Sequence, residues 1–143
     1  MGLYYKSTRN SNLKVTASEA ILKGLAPDGG LFVPSELPKL DVSMSDLKGK
    51  TYQEIAYLVM KQFLTDFTEE ELKHCINSAY DSKFDTEVIA PLVKVGDTYH
   101  LELFHGATIA FKDMALSILP HLMITSARKN QVKNDIVILP ATS

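Results

Sequence analysis

Apolar residues recur every three or four positions in three stretches of this chain. Each stretch opens on a threonine with a glutamate three places on: Thr16 with Glu19, Thr51 with Glu54, Thr68 with Glu71. That spacing is a capping box, in which hydroxyl and carboxylate satisfy the free amides at a helix start. The first box predicts a short helix through Leu25, with Ala17, Ala20, Ile21 and Leu25 on its apolar side. The second predicts a helix burying Ile55, Leu58, Val59 and Phe63. The third predicts one burying Leu72, Ile76 and Ala79, with Cys75 near the same side as a core residue.

Short extended segments separate the helices. Leu3 to Tyr5 reads as a strand that Ser7 to Asn12 is too polar to continue, and Val15 resumes an extended path. Ala26 to Gly30 is a turn, Leu31 to Val33 a brief strand, and Pro34 and Pro38 impose an irregular course. Leu92 to Val95, the Gly96-Asp97 pair and Tyr99 to Phe104 predict a hairpin. A helix follows from Phe111 or Asp113 to Ala127, and Pro120 inside it either kinks it or splits it in two. After a polar link at residues 128–134, Ile136 to Leu139 is a strand of buried type.

This order predicts an α/β fold in two parts. Residues 1–85 form a mostly helical region with short strands, and residues 86–143 begin an α/β domain whose later repeats are missing. Such a truncation would leave apolar surface open to self-association.

Composition narrows the function classes. With 45% hydrophobic and 22% charged residues the chain has a globular make-up, and a net charge of -2 gives no broad attraction to nucleic acid. One cysteine excludes an internal disulfide, and no Cys/His cluster has metal-site spacing. No run approaches the roughly 20 apolar residues of a membrane span, and Met1 to Arg9 lacks a secretory core. The cytoplasm is the default setting.

The candidate chemistry lies in Leu101 to Leu116, where a strand, a Gly106 turn and an apolar helix surround one lysine, Lys112. Ile109, Ala110, Phe111, Met114 and Ala115 would desolvate its ammonium, and desolvation favours the nucleophilic amine that forms Schiff bases. A surface lysine at a helix start has the same spacing. His105 could donate to a phosphate or carboxylate, or make a structural hydrogen bond. Thr108 could contact a ligand or cap the helix. Asp113 suits the early helix dipole or nearby backbone amides. At the other end, Ala141 to Ser143 follows a strand, where open α/β sheets place ligand loops.

Leu101 to Asp113, LELFHGATIAFKD, closely resembles the cofactor-lysine motif of threonine synthase. That family uses pyridoxal 5'-phosphate (PLP) and has the tryptophan-synthase-β-like, fold-type II, three-layer α/β architecture. Tyr5 to Arg9, Ser18 to Ala26 and Asp28 to Pro34 are similar to its N-terminal region. Ile136 to Ser143 resembles the strand entering its SGDTG loop, with Ser143 as the first serine. The family's HGPT stands here as His105-Gly-Ala-Thr108, with Ala107 in place of proline.

The resemblance implies that Lys112 carries PLP as a Schiff base and then acts as general acid/base. Phe111 and Asp113 would orient its helix, Ser143 would face the cofactor, and Lys6 to Arg9 would lie near the site. It implies conversion of O-phospho-L-homoserine and water into L-threonine and phosphate by γ-elimination and β-addition. The active site would be completed beyond residue 143, leaving this piece inactive alone. Another fold-type II PLP lyase, or a noncatalytic threonine-synthase-like or interaction domain, shares much of this pattern.

Overall fold

In a computed structural model the chain is described from Gly2 to Leu139. The elements run β1 (Tyr5–Ser7), α1 (Ala17–Lys23), β2 (Phe32–Pro34), α2 (Met44–Leu47), α3 (Tyr52–Phe63), α4 (Glu69–Ala79), β3 (Leu92–Val95), β4 (Thr98–Leu101), α5 (Asp113–Leu116) and α6 (Leu119–Lys129). All three capping boxes form. The backbone amides of Thr16, Thr51 and Thr68 donate to the glutamates three residues on, at 2.7, 2.7 and 2.8 Å. A fourth box, Ser43 with Asp46, opens α2.

Helices α1, α3, α4 and α6 share one core. Leu72, Cys75, Ile76 and Ala79 of α4 meet Ala17 of α1, Ala56 of α3, and Ile118 and Leu122 at α6. Full burial of each large aliphatic side chain contributes about 1.5–3 kcal/mol. Helix α6 packs on α1 and α4, so residues on both sides of position 85 build the same core. Polar ties reinforce it: Asn130 Nδ2 donates to Ser18 Oγ at 2.9 Å, and Lys129 pairs with Glu71 at 2.9 Å. Cys75 is buried as expected, with its Sγ 3.4 Å from Thr125 Oγ1.

Several expectations need correction. The first strand is Tyr5–Ser7, pairing antiparallel with Phe32–Pro34, so both strands lie later than the apolar runs suggested. Ser7 is buried because its hydroxyl donates to Asp28 at 2.7 Å and accepts the Arg9 amide. On α3 the side chains packed on the core are Tyr52, Ala56, Tyr57 and Met60. This rotates Val59 outward to 39% exposure, while Ile55, Leu58 and Phe63 are half-buried.

The hairpin forms with Leu92 opposite Leu101 and Gly96 at φ 60°, but β4 ends before Phe104. The long helix after it is split at Ser117 and Ile118, with Pro120 in the first turn of α6. A missing N–H costs no helical bond there. Residues 136–139 form no strand and their apolar side chains are exposed. A strand is stable only when paired, and none of the described strands runs beside them. No helix of the described residues is long and apolar enough to cross a membrane.

Candidate functional site

The segment from Gly106 to Asp113 is a loop closed on itself by the carboxylate of Asp113. Thr108 donates its amide to Oδ2 at 2.7 Å and its hydroxyl to Oδ1 at 2.6 Å. The Ile109 amide donates to Gly106 O and the Asp113 amide to Ala110 O, each at 3.0 Å. Ile109 adopts φ 60°, a left-handed conformation that costs a β-branched residue on the order of 1–3 kcal/mol. The hydroxyl and then the amide of Thr108 hold Asp113 below the ordinary carboxylate pKa. Asp113 is thus the buried anchor of the loop, and Thr108 is engaged in closing it.

Lys112 stands at the N-cap of α5 and its carbonyl accepts from the Ala115 and Leu116 amides. Its side chain borders an open groove of about 620 Å³ whose lining is mostly apolar, including Tyr52, Leu101, Leu103, Phe111 and Met114. The Tyr80 hydroxyl, kept protonated by burial, donates to Met114 O at 2.7 Å and docks α5 on the end of α4. The expected desolvation of Lys112 is not present among the described residues: Lys112 and Phe111 are both exposed. The groove has one apolar wall, formed by α3, β4 and α5, and is open opposite it.

Among the described residues the His105 ring bonds carboxylates, one of the two acceptor types it suits, and not the backbone. Nδ1 lies 2.5 Å from Asp85 and Nε2 2.8 Å from Glu102. Bonds to Glu102 and then Asp85 raise its pKa. These two carboxylates, with Tyr52 and Tyr80, are site residues that sequence reasoning missed. Only Glu102, three residues before His105, left a local signal.

Ser143 lies outside the described residues. Lys6 to Arg9 are occupied in the β1–β2 layer, where Lys6 pairs with Val33 and Arg9 donates to Asp28 O at 3.1 Å. A second cavity of about 410 Å³ between α3 and α4 is lined by Lys50 and Lys73. Lys73 is paired with Glu69 at 2.6 Å, whereas Lys112 makes no ion pair among the described residues. No group of three His, Cys, Asp or Glu among the described residues is placed to hold a metal ion.

Residues 4–80 match the family model described as threonine synthase N terminus, which ends before Lys112. The chain is 40% identical over 136 residues to threonine synthase of Schizosaccharomyces pombe, covering 92% of this chain and 26% of that protein. It is 42% identical over 110 residues to threonine synthase-like 1 of Homo sapiens, covering 73% and 15%. A crystal structure of PLP-bound threonine synthase from Brucella melitensis superposes with a TM-score of 0.81 at 33% identity, covering 91% of this chain and 28% of that one. The chain thus spans between about a seventh and a third of the relatives it matches. The matched fold is the N-terminal portion of a fold-type II PLP enzyme. By the extent of the family match and the shared architecture, this chain belongs to the threonine synthase family, as its N-terminal region.

Proposed function

We propose that the protein carrying this chain is a PLP-dependent threonine synthase, and that Lys112 is its cofactor lysine. The observation that carries the reading is Lys112 at the lip of an apolar groove, on a loop closed by the buried Asp113. These residues fit one part of the cofactor. The amine suits its aldehyde, and Phe111, Met114 and Leu101 offer apolar surface to a flat ring. When bound, PLP supplies an electron-withdrawing ring that spreads carbanion charge from the substrate carbons.

The chain's own residues then have definable work. Asp113 holds residues 106–113 in one shape, so Lys112 is delivered to the groove at a fixed position. The Lys112 amine would hold the cofactor, and from the same place at the groove it is the group that would move protons between substrate carbons. Tyr80 fixes α5 through the Met114 carbonyl. Phe111 lines the groove beside Lys112 and, once that groove is covered, excludes water from it.

The overall reaction is O-phospho-L-homoserine plus water to L-threonine plus phosphate, by γ-elimination of phosphate and β-addition of water. The cytoplasm is the proposed setting for this small-molecule chemistry. The 143-residue chain alone has negligible turnover in this reading, because Lys112 stands exposed at an uncovered groove. Its exposed apolar side chains, such as Leu92, Val95 and Leu101 of the hairpin, are where the chain alone would self-associate.

The test is an assay of the intact protein with PLP and O-phospho-L-homoserine, following threonine and phosphate together. Equal release of both supports the reading. A different product from a screened amino acid would make it another fold-type II lyase. The second reading, a noncatalytic threonine-synthase-like protein, is favoured by the 42% identity to the Homo sapiens relative of that name. It would show as no product and no bound PLP.

A further inference from the structure

The loop that presents Lys112 is tied to the rest of the molecule through His105. Both ring nitrogens face carboxylates, Nδ1 at 2.5 Å from Asp85 and Nε2 at 2.8 Å from Glu102. A neutral imidazole has one N–H and donates once; two carboxylate acceptors are both satisfied only by the imidazolium. The side chains of His105 and Glu102 are 15% and 26% exposed, whereas that of Asp85 is 75% exposed. Glu102 is therefore the less screened partner. The backbone repeats the link, since the Asp85 amide donates to His105 O at 3.0 Å. Phe104 stacks on the ring with centroids 4.6 Å apart. Gly106 comes next, buried against Asp113, and from there the closed loop runs directly to Lys112.

We propose that Asp85 and Glu102 are positioning residues for Lys112, holding His105 as an imidazolium that pins the start of the Gly106–Asp113 loop. The proposal rests on Lys112 being the reactive amine. Neither carboxylate lines the groove, so both act through His105. Asp85 reaches the ring from the segment after α4 and Glu102 from the position just after β4, and these are the charged groups acting on it. Their pull raises the folded-state pKa above the ordinary histidine value of about 6.5. The second of the two ring bonds is therefore present below that ordinary value and is lost as pH rises through the raised one. The neutral ring keeps one N–H bond, and the backbone link remains. Lys112 is held best on the acid side of this transition and less firmly on the alkaline side, where the Thr108–Asp113 bonds still close the loop.

The experiment is an NMR titration of the full chain with labelled histidine, following the His105 ring and the Thr108 and Asp113 amides together. The expected result is a His105 midpoint above the ordinary value, with both amides shifting at that same midpoint. Glu102→Gln and Asp85→Asn each lower both midpoints, Glu102→Gln by more. Both substitutions preserve side-chain shape, and unchanged signals from Leu72 and Ile76 confirm the fold. An ordinary His105 midpoint that Glu102→Gln leaves unmoved overturns the proposal. So does a raised midpoint that the Thr108 and Asp113 amides fail to follow. Failure of the underlying Lys112 reading has a different signature: PLP attached to another lysine while the His105 titration behaves as stated.

Discussion

Gly106 lies so close to Asp113 that a Cβ on residue 106 would stand 2.5 Å from the Asp113 Cβ. That contact brings the turn before Lys112 against the first residue of α5 and leaves no room for a side chain. Gly106→Ala must push the Asp113 side chain away and with it the acceptor of both Thr108 bonds. The expected cost is about 1–3 kcal/mol, the usual range for overpacking a fitted site. Denaturant unfolding measures it, and a neutral result would mean that the loop is not packed as described.

Asp113 carries its own pH signature. Thr108 holds its pKa below the ordinary carboxylate value, so its contribution to stability is present above that value and lost as pH falls through the depressed one. Thermal melts from pH 6 downward should show an acid destabilisation that Asp113→Asn reduces. Thr108→Val should remove part of the same dependence by deleting the hydroxyl donor. Identical pH profiles for the three proteins would contradict this anchoring role.

The core makes a sharp contrast between two aliphatic positions. Ile76 is 1% exposed, and Ile76→Ala should cost about 2–5 kcal/mol. Val59→Ala, on the outward side of α3, should stay within about 1 kcal/mol. Equilibrium unfolding of the two variants, side by side, reads the helix rotation directly. Comparable losses would place Val59 back in the core.

What local chemistry determines was legible in the sequence, and what distant pairing determines was not. Thr16, Thr51 and Thr68 marked helix starts because a capping box closes within four residues. Ser43 with Asp46 closes the same way but was missed, since aspartate replaces the longer acid of the usual pattern. Lys112 was legible as a residue at a helix start next to apolar neighbours. Asp85 was not, because it meets His105 across 20 positions with no spacing rule between them. The burial of Ser7 depends likewise on Asp28, 21 positions away. At Ile136 to Leu139 the apolar run says that these side chains suit a covered site, but periodicity names no partner strand.

Ala107 is the position where this chain departs from the proline of the family's HGPT turn. Its backbone amide donates to no acceptor among the described residues, so proline there removes no bond. Ala107→Pro should stabilise by about 0.4–1 kcal/mol by restricting the unfolded chain. A raised Tm with unchanged Thr108 and Asp113 amide shifts is the expected outcome. A lowered Tm would show that the turn follows a path proline cannot adopt.

The central claim is that one amine, on the loop closed by Asp113, receives the cofactor. The direct measurement is borohydride reduction of the intact protein after incubation with PLP, followed by peptide mass analysis. The account predicts a single modified site at Lys112, lost in Lys112→Ala. Modification at another lysine, or at none, would contradict it.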